Sequence, residues 1–336
     1  MCLKNICQVC FNRFTCSFHV SQRILDKPAR RYNREENTVA KEYDAWTNDG
    51  VLEHYWGEHI HLGWYSPQEM KAGYKKKNFI QAKYDFIDRM LAFSGVNALA
   101  SPPKQVLDVG CGIGGTSRYL AKALGSESTV TGITLSPNQA ARANFLATEQ
   151  GVDNAQFQVM DALGMSFPDN SFDMVWACES GEHMPDKKKY VEEMARVLKP
   201  GGIMVVATWC QREETKEAPF DAKELKRLDY LYAEWTHPHF ISIEEYGRLM
   251  EGTGVLQDVH LEDWNEQTIA SWRHSIWVGV YDPWPVARRP WTWYKTLRDG
   301  ICLDRFHRAF DDGLCGYGMF RARKSTEGYA PEDYTV

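Results

Sequence analysis

Chemistry in this chain concentrates in one run, Val106-Leu-Asp-Val-Gly-Cys-Gly-Ile-Gly-Gly115. An apolar strand breaks into glycines there and then enters the apolar-periodic residues 116–124. The pattern predicts a strand, a tight turn and a helix. Glycine lets the backbone turn sharply and approach a ligand with no Cβ in the way, and the helix start offers unpaired N–H groups. Gly110, Gly112 and Gly115 fit G-x-G-x-x-G, which alone admits a dinucleotide. A dinucleotide also requires an acid about twenty residues on to grip a ribose. The second strand, residues 128–134, closes without one. Asp108 points to a different ligand. A carboxylate two residues before the first glycine faces the turn, where it suits a cationic group and repels a pyrophosphate. S-adenosylmethionine carries an ammonium and a sulfonium, so it is the expected cofactor in preference to NAD. Asp108, Gly110, Cys111, Gly112 and Gly114 are its expected contacts.

The elements that position this turn repeat as strand and helix. Strands are expected at residues 130–135, 155–160, 172–177 and 203–208, with helices at 136–147 and 186–198 between them. Ser136-Pro137 supplies a cap and a proline at the first helical position. Such alternation predicts an α/β, doubly wound parallel sheet, whose ligands bind beyond the carboxyl ends of the strands. That rule nominates Thr134 and Gln139 for the ribose, Asp161 with Ala162 for the adenine, and Glu179 and His183 for the methyl acceptor. Ahead of the first strand, residues 35–100 hold Tyr43-Asp-Ala-Trp46 and Glu53-His-Tyr-Trp-Gly-Glu-His-Ile-His-Leu-Gly-Trp-Tyr65. These residues suit a lid. Tyr43 is expected near the sulfonium through cation–π attraction, with Tyr55 as a second aromatic. His59, His61, Glu179 and His183 are the candidate bases, in no fixed order. Residues 79–91 read as a helix whose buried face is marked by Phe79, Lys83, Phe86, Ile87, Met90 and Leu91.

Residues 101–324 form the expected catalytic domain, interrupted by an insertion at about 265–312 between a strand at 255–264 and a last strand at 316–323 that closes the sheet. The insertion is rich in Trp, Arg and Lys. It is expected to lie at the edge away from the glycine turn, to select the acceptor and to touch a membrane surface. A solvated basic patch is the plainer alternative. The chain has 336 residues and a net charge of −6, which gives no general attraction to nucleic acid. Its 12 Trp and 16 Tyr imply broad apolar surfaces with polar handles. No run reaches the ~18 apolar residues of a membrane span. Cys7-Gln-Val-Cys10 has metal-ligand spacing, but no second pair completes a site, so no metal is expected. Residues 1–34 are basic and almost free of acid, as in an organelle transit segment or a plain basic tail. Residues 325–336 form a short tail.

Four motifs together resemble the tocopherol and plastoquinone methyltransferases. They are the glycine run, Gly132-Ile-Thr-Leu-Ser-Pro137, Glu179-Ser-Gly-Glu-His-Met-Pro-Asp186 and Trp56-Gly-Glu-His-Ile-His-Leu-Gly63. Similarity extends from about Tyr43 to Lys324 and includes Trp235-x-His-Pro and Gly313-Leu-Cys-x-x-Gly-Met-Phe320. The resemblance implies a class I methyltransferase fold with an antiparallel last strand, S-adenosylmethionine as donor, and a prenylated quinol methylated on a ring carbon. It also implies a plastid membrane as the place of work. Other small acceptors, such as a sterol or a sulfur or nitrogen metabolite, remain open on the residues alone. A donor-binding protein without turnover is the alternative from another class.

Overall fold

A computed structural model describes residues 31–327. The expected transit segment up to residue 30, the Cys7–Cys10 pair and the tail beyond 327 lie outside the described residues. Two short helices come first, α1 (Thr38–Asp49) and α2 (Val51–Trp56), joined at Gly50, which is left-handed at φ 65°. After a loop come α3 (Pro67–Ala72) and α4 (Phe79–Ser94). Asn78 caps α4 by accepting the Ile80 and Gln81 N–H groups. Every α4 residue that marks the apolar period is buried, Lys83 included.

The sheet follows as expected. β1 (Gln105–Val109), α5 (Gly115–Leu124), β2 (Thr129–Thr134), α6 (Pro137–Glu149), β3 (Ala155–Val159), β4 (Phe172–Cys178), α7 (Lys187–Val197) and β5 (Leu198–Gln211) alternate along the chain. The Ser136 hydroxyl caps α6 on Gln139 N–H, and the Asp186 carboxylate caps α7 on Lys189 N–H. After α8 (Ala222–Glu234) and α9 (Ile243–Glu251), β6 (Leu256–Asp263) and β7 (Cys315–Lys324) complete a sheet of order β3-β2-β1-β4-β5-β7-β6. β1 to β5 are parallel, and β7 runs antiparallel to both β5 and β6. Successive strand residues point to opposite faces. Val106, Met174 and Val205 join one apolar core, while Leu107, Val175 and Val206 join the other. Both faces are therefore covered, as parallel strands require, and ligand access is left to the strand ends.

The insertion between β6 and β7 is helical: α10 (Asn265–Thr268), α11 (Ala270–Tyr281), α12 (Trp284–Ala287) and α13 (Trp293–Asp311). It does not stay at the far edge of the sheet. α11 packs on α2 and α4 as well as on α13, so the insertion folds back toward the lid. Backbone and side chains join the two. Tyr65 N–H donates to the Gln267 carbonyl at 2.8 Å, and Gly63 N–H donates to Ser271 Oγ at 2.7 Å. Trp272 is not a surface residue. It is fully buried, stacked on Phe306 at 4.8 Å, and belongs to the core.

Candidate active site

Beyond the carboxyl ends of β1, β2 and β4 the glycine turn forms one wall of a narrow cleft. Gly112 has φ 56°, and the nearest atom to a Cβ built there would be Gln139 Nε2 at 3.9 Å, so its backbone stands open to a ligand. Gly115 is needed for the opposite reason. A Cβ there would meet the Glu58 carbonyl oxygen at 2.1 Å, because the lid loop lies directly on the start of α5. The lid is held by charge. Glu58 pairs with the buried Arg118 at 2.6 Å, Glu53 pairs with Arg142 at 2.6 Å, and Ser136 and Asn138 at the start of α6 donate to Asp44.

Asp108, Gly110, Cys111, Gly112, Thr134, Gln139, Ala162 and Tyr43 all line this cleft, as the sequence predicts. Burial pushes the Asp108 carboxyl up to about 7, and its hydrogen-bond partner is the Ser117 hydroxyl. Gln139 accepts from the Thr134 hydroxyl at 2.8 Å, which leaves its buried Nε2 without a partner. A buried carboxylate, an unpartnered amide and an open glycine backbone suit a ligand with a cationic end and hydroxyls, so these residues fit S-adenosylmethionine.

Four expected residues, Asp161, Gly114, His59 and Tyr55, do not line the cleft. Asp161 turns outward, accepting from Leu163 N–H at 2.9 Å and pairing with Arg34 at 3.3 Å. Gly114 faces Phe157 and Arg118, and its φ of 76° serves the turn rather than ligand contact. The buried His59 sits with Nδ1 3.2 Å from Thr116 Oγ1 and its ring against Tyr84, and it is pushed down to about 3 by burial and then by Lys83. His61 does line the cleft, although its Nδ1 lies 2.7 Å from the Leu62 carbonyl oxygen. Tyr55 lies outside it, donating to the Asp282 carbonyl at 2.6 Å.

A second cavity of ≈ 920 Å³ lies between the lid, the sheet ends and the insertion. Trp46, Trp56, Trp209, Trp235, Trp272 and Ile276 are among its walls. Tyr43, Ile60, Glu179 and His183 line both this chamber and the narrow cleft. Glu179 follows β4 in the left-handed region at φ 51°, a conformation that costs a non-glycine residue of order 1–3 kcal/mol. Its Oε1 accepts from Leu62 N–H and from the Tyr317 hydroxyl, each at 2.7 Å. Lys83, in α4, donates to the His61 carbonyl one residue away and sits 3.8 Å over the Trp56 ring. Lid and sheet thus meet at one carboxylate, and α4 anchors the lid at the residue beside Leu62.

Glu182, one helical turn along the same loop, also lines the chamber and accepts from the Thr208 hydroxyl at 2.7 Å. Burial pushes both carboxyls up, and the charge of Glu179 raises Glu182 further. Burial and then Lys187 push His183 down to about 3, so it is neutral. Its Nε2 lies 2.9 Å from the Tyr43 hydroxyl, and its ring stacks at 4.5 Å on His237 from the α8–α9 connection. The sequence expectations omit Glu182 and His237. Glu182 had a signal, its position three residues after Glu179 past a strand end. His237 is brought in only by tertiary packing, although it belongs to the Trp235-x-His-Pro motif.

Comparison with known proteins accords with this geometry. The family described as Methyltransferase domain matches residues 107–206. The chain is 43% identical over 301 residues to the 2-methyl-6-phytyl-1,4-hydroquinone methyltransferase of Synechocystis sp., covering 88% of this chain and 89% of that protein. It is 42% identical over 288 residues to the chloroplastic tocopherol O-methyltransferase of Arabidopsis thaliana, covering 82% of this chain and 79% of that protein. Among solved structures, the geranyl diphosphate C-methyltransferase of Streptomyces coelicolor, with S-adenosyl-L-homocysteine bound, superposes with a TM-score of 0.65 at 20% identity. That match covers 88% of this chain and 99% of the other. The glycine-turn cleft, the mixed sheet with its antiparallel last strands and these relatives together show that the chain is an S-adenosylmethionine-dependent enzyme of the quinol and tocopherol methyltransferase family.

Proposed function

We propose that the chain methylates a ring carbon of a prenylated aromatic quinol held in the large chamber. The observation that carries this reading is the junction. The donor cleft and a chamber of ≈ 920 Å³, whose walls include six Trp and two Tyr side chains among aliphatic ones, meet at Tyr43, Ile60, Glu179 and His183. The names of the Synechocystis and Arabidopsis relatives supply the acceptor class. S-adenosylmethionine supplies an already activated methyl group, so alignment and a proton acceptor are the main tasks left to the protein. Asp108 would take the cationic amino end of the donor, with Gln139 and Thr134 on its ribose and Ala162 beside its base.

The acceptor ring gains carbon nucleophilicity as its hydroxyl loses a proton. A base tuned near neutrality is most effective, at roughly 10²–10⁴-fold. Magnitude favours a carboxylate here. His183 is pushed down to about 3, whereas burial raises Glu182 toward the useful range. Glu182 takes the proton, and His183, held by Tyr43, orients the hydroxyl. Incubating the enzyme with methyl-labelled donor and a panel of prenylated quinols, sterols and amines tests the acceptor. Label on a quinol ring carbon is expected. Label confined to a sterol or an amine would replace the proposed acceptor.

The basic residues 1–34 and the chloroplastic relatives support a plastid location, and the lipophilic acceptor supports work at a membrane surface. A reporter carrying residues 1–40 should enter plastids; a diffuse cytosolic signal would leave those residues as a plain basic tail.

A further inference from the structure

The insertion leaves a group of large apolar side chains in water. Tyr281 is 64% exposed, Trp284 63% and Trp293 54%, with Tyr294 and Leu297 exposed beside them on the first turns of α13. Composition alone does not force this, because the same insertion buries Trp272 completely. Val280, Trp293 and Leu297 are exposed and also line the chamber. The exposed patch and the chamber thus share these side chains.

Charge adds an independent observation. Residues 283–298 contain Arg288, Arg289, Lys295 and Arg298 but no Asp or Glu, in a chain of net charge −6. Lys295 and Arg298 are engaged by Asp49 and Glu234, whereas Arg288 is exposed. On the α11 side, Lys75 lies 4.0 Å over the Trp277 ring, and Lys76 next to it is exposed. Cations thus border an aromatic patch at the chamber wall. Among the described residues no helix is long and apolar enough to cross a membrane, so contact is with a surface. Trp and Tyr favour the headgroup depth of a bilayer, and anionic headgroups draw a cationic border.

We infer that this face of the insertion docks on an anionic lipid surface, with the chamber opening toward it. A prenylated acceptor then passes from the bilayer to Glu182 and His183 without crossing water; this passage rests on the acceptor proposed above, whereas the docking itself does not. A second copy of the chain is the competing occupant. A two-fold contact through this face would set its cations against each other.

The test uses the full chain and vesicles without acceptor, made of phosphatidylcholine alone or mixed with phosphatidylglycerol. Sedimentation should show binding to the mixed vesicles, weakened by salt. The double variant Tyr281→Ser, Trp284→Ser touches neither cavity and should lower the partition coefficient about tenfold or more. Arg288→Glu, which changes an exposed charge and cannot unhinge the core, should weaken binding as well. In the double variant, turnover of a short-chain, water-soluble quinol should be unchanged, while turnover of a vesicle-embedded long-chain quinol falls. Vesicle binding that is absent in the parent, or equal in parent and both variants, would overturn the inference. A dimer that dissociates in the double variant would give the face to a second copy. Vesicle binding with no quinol methylated would leave the docking standing and remove only the proposed acceptor.

Discussion

Asp108 combines a charge that burial opposes with a place at the ligand turn, and pH separates the two. Its carboxyl is raised to about 7. A raised acid holds its proton in the fold, so its contribution to stability is full below the ordinary carboxylate range and is lost as pH rises through about 7. A cationic ligand end reverses the balance by favouring the carboxylate. Donor affinity should therefore rise from pH 6 to pH 8, by up to about tenfold per pH unit below the carboxyl's own value. Calorimetric titration of wild type and Asp108→Asn checks this. The variant should bind roughly 10–100-fold more weakly at pH 8 and lose most of the pH dependence. Equal slopes in both proteins would move the effect to another group, with Glu179 the nearest candidate. Glu182→Gln should lower kcat about 10²-fold and leave donor affinity unchanged. A loss of donor affinity with kcat intact would remove it as the proton acceptor. At this scale the sequence was readable where chemistry is local: Asp108, the glycines and Gln139 sit within one βα unit or the next. His59 and Asp161, whose types also suggested chemistry, do not line the cleft. Packing gave their polar atoms to Thr116 and Arg34 instead.

α4 shows how an element can hold a site it does not enter. Its 3.6-residue period was plain in the sequence, and the buried lysine on its apolar face was part of that period. Lys83 is pushed down to about 7 by burial. For a base lowered in the fold, the stability contribution is present above the ordinary lysine value and is lost as pH falls toward about 7. Lys83→Met should therefore shrink the rise in Tm between pH 7 and pH 9, measured by scanning calorimetry. The loop that carries Ile60 and His61 would also lose its anchor, so KM for the donor should rise while α4 stays folded. Unchanged pH dependence of Tm would show that Lys83 does not sit as a neutral-prone buried amine. What the sequence lacked was direction. Periodicity placed Lys83 on the inner face, but only the fold shows that its ammonium reaches the lid loop.

At the scale of the whole molecule, the alternation of strands and helices gave the parallel sheet and its ligand-binding end. The return of the insertion was not readable, because nothing in its composition says which way α11 crosses. Its Trp residues divide by surroundings. Trp272→Ala removes a fully buried indole and should cost about 3–5 kcal/mol of stability. Trp284→Ala should stay within about 0.5 kcal/mol. Denaturant unfolding distinguishes them, and similar losses at both positions would mean that the insertion packs as one uniform core. The β6–β7 hairpin bears on a different question. Asp263 pairs with Gly318, and Trp264 N–H donates to the Tyr317 carbonyl at 2.9 Å, so both ends of the insertion spring from adjacent rungs of one ladder. Whatever is spliced between two such posts closes a loop, and doubling its length costs only about 0.6 kcal/mol. Descent with modification could therefore rewrite residues 265–312 wholesale while the glycine turn, on β1 four strands away from β6 and laid down earlier in the chain, goes on folding as before. Lineages that share the donor cleft would then diverge by exchanging the cassette held between those posts.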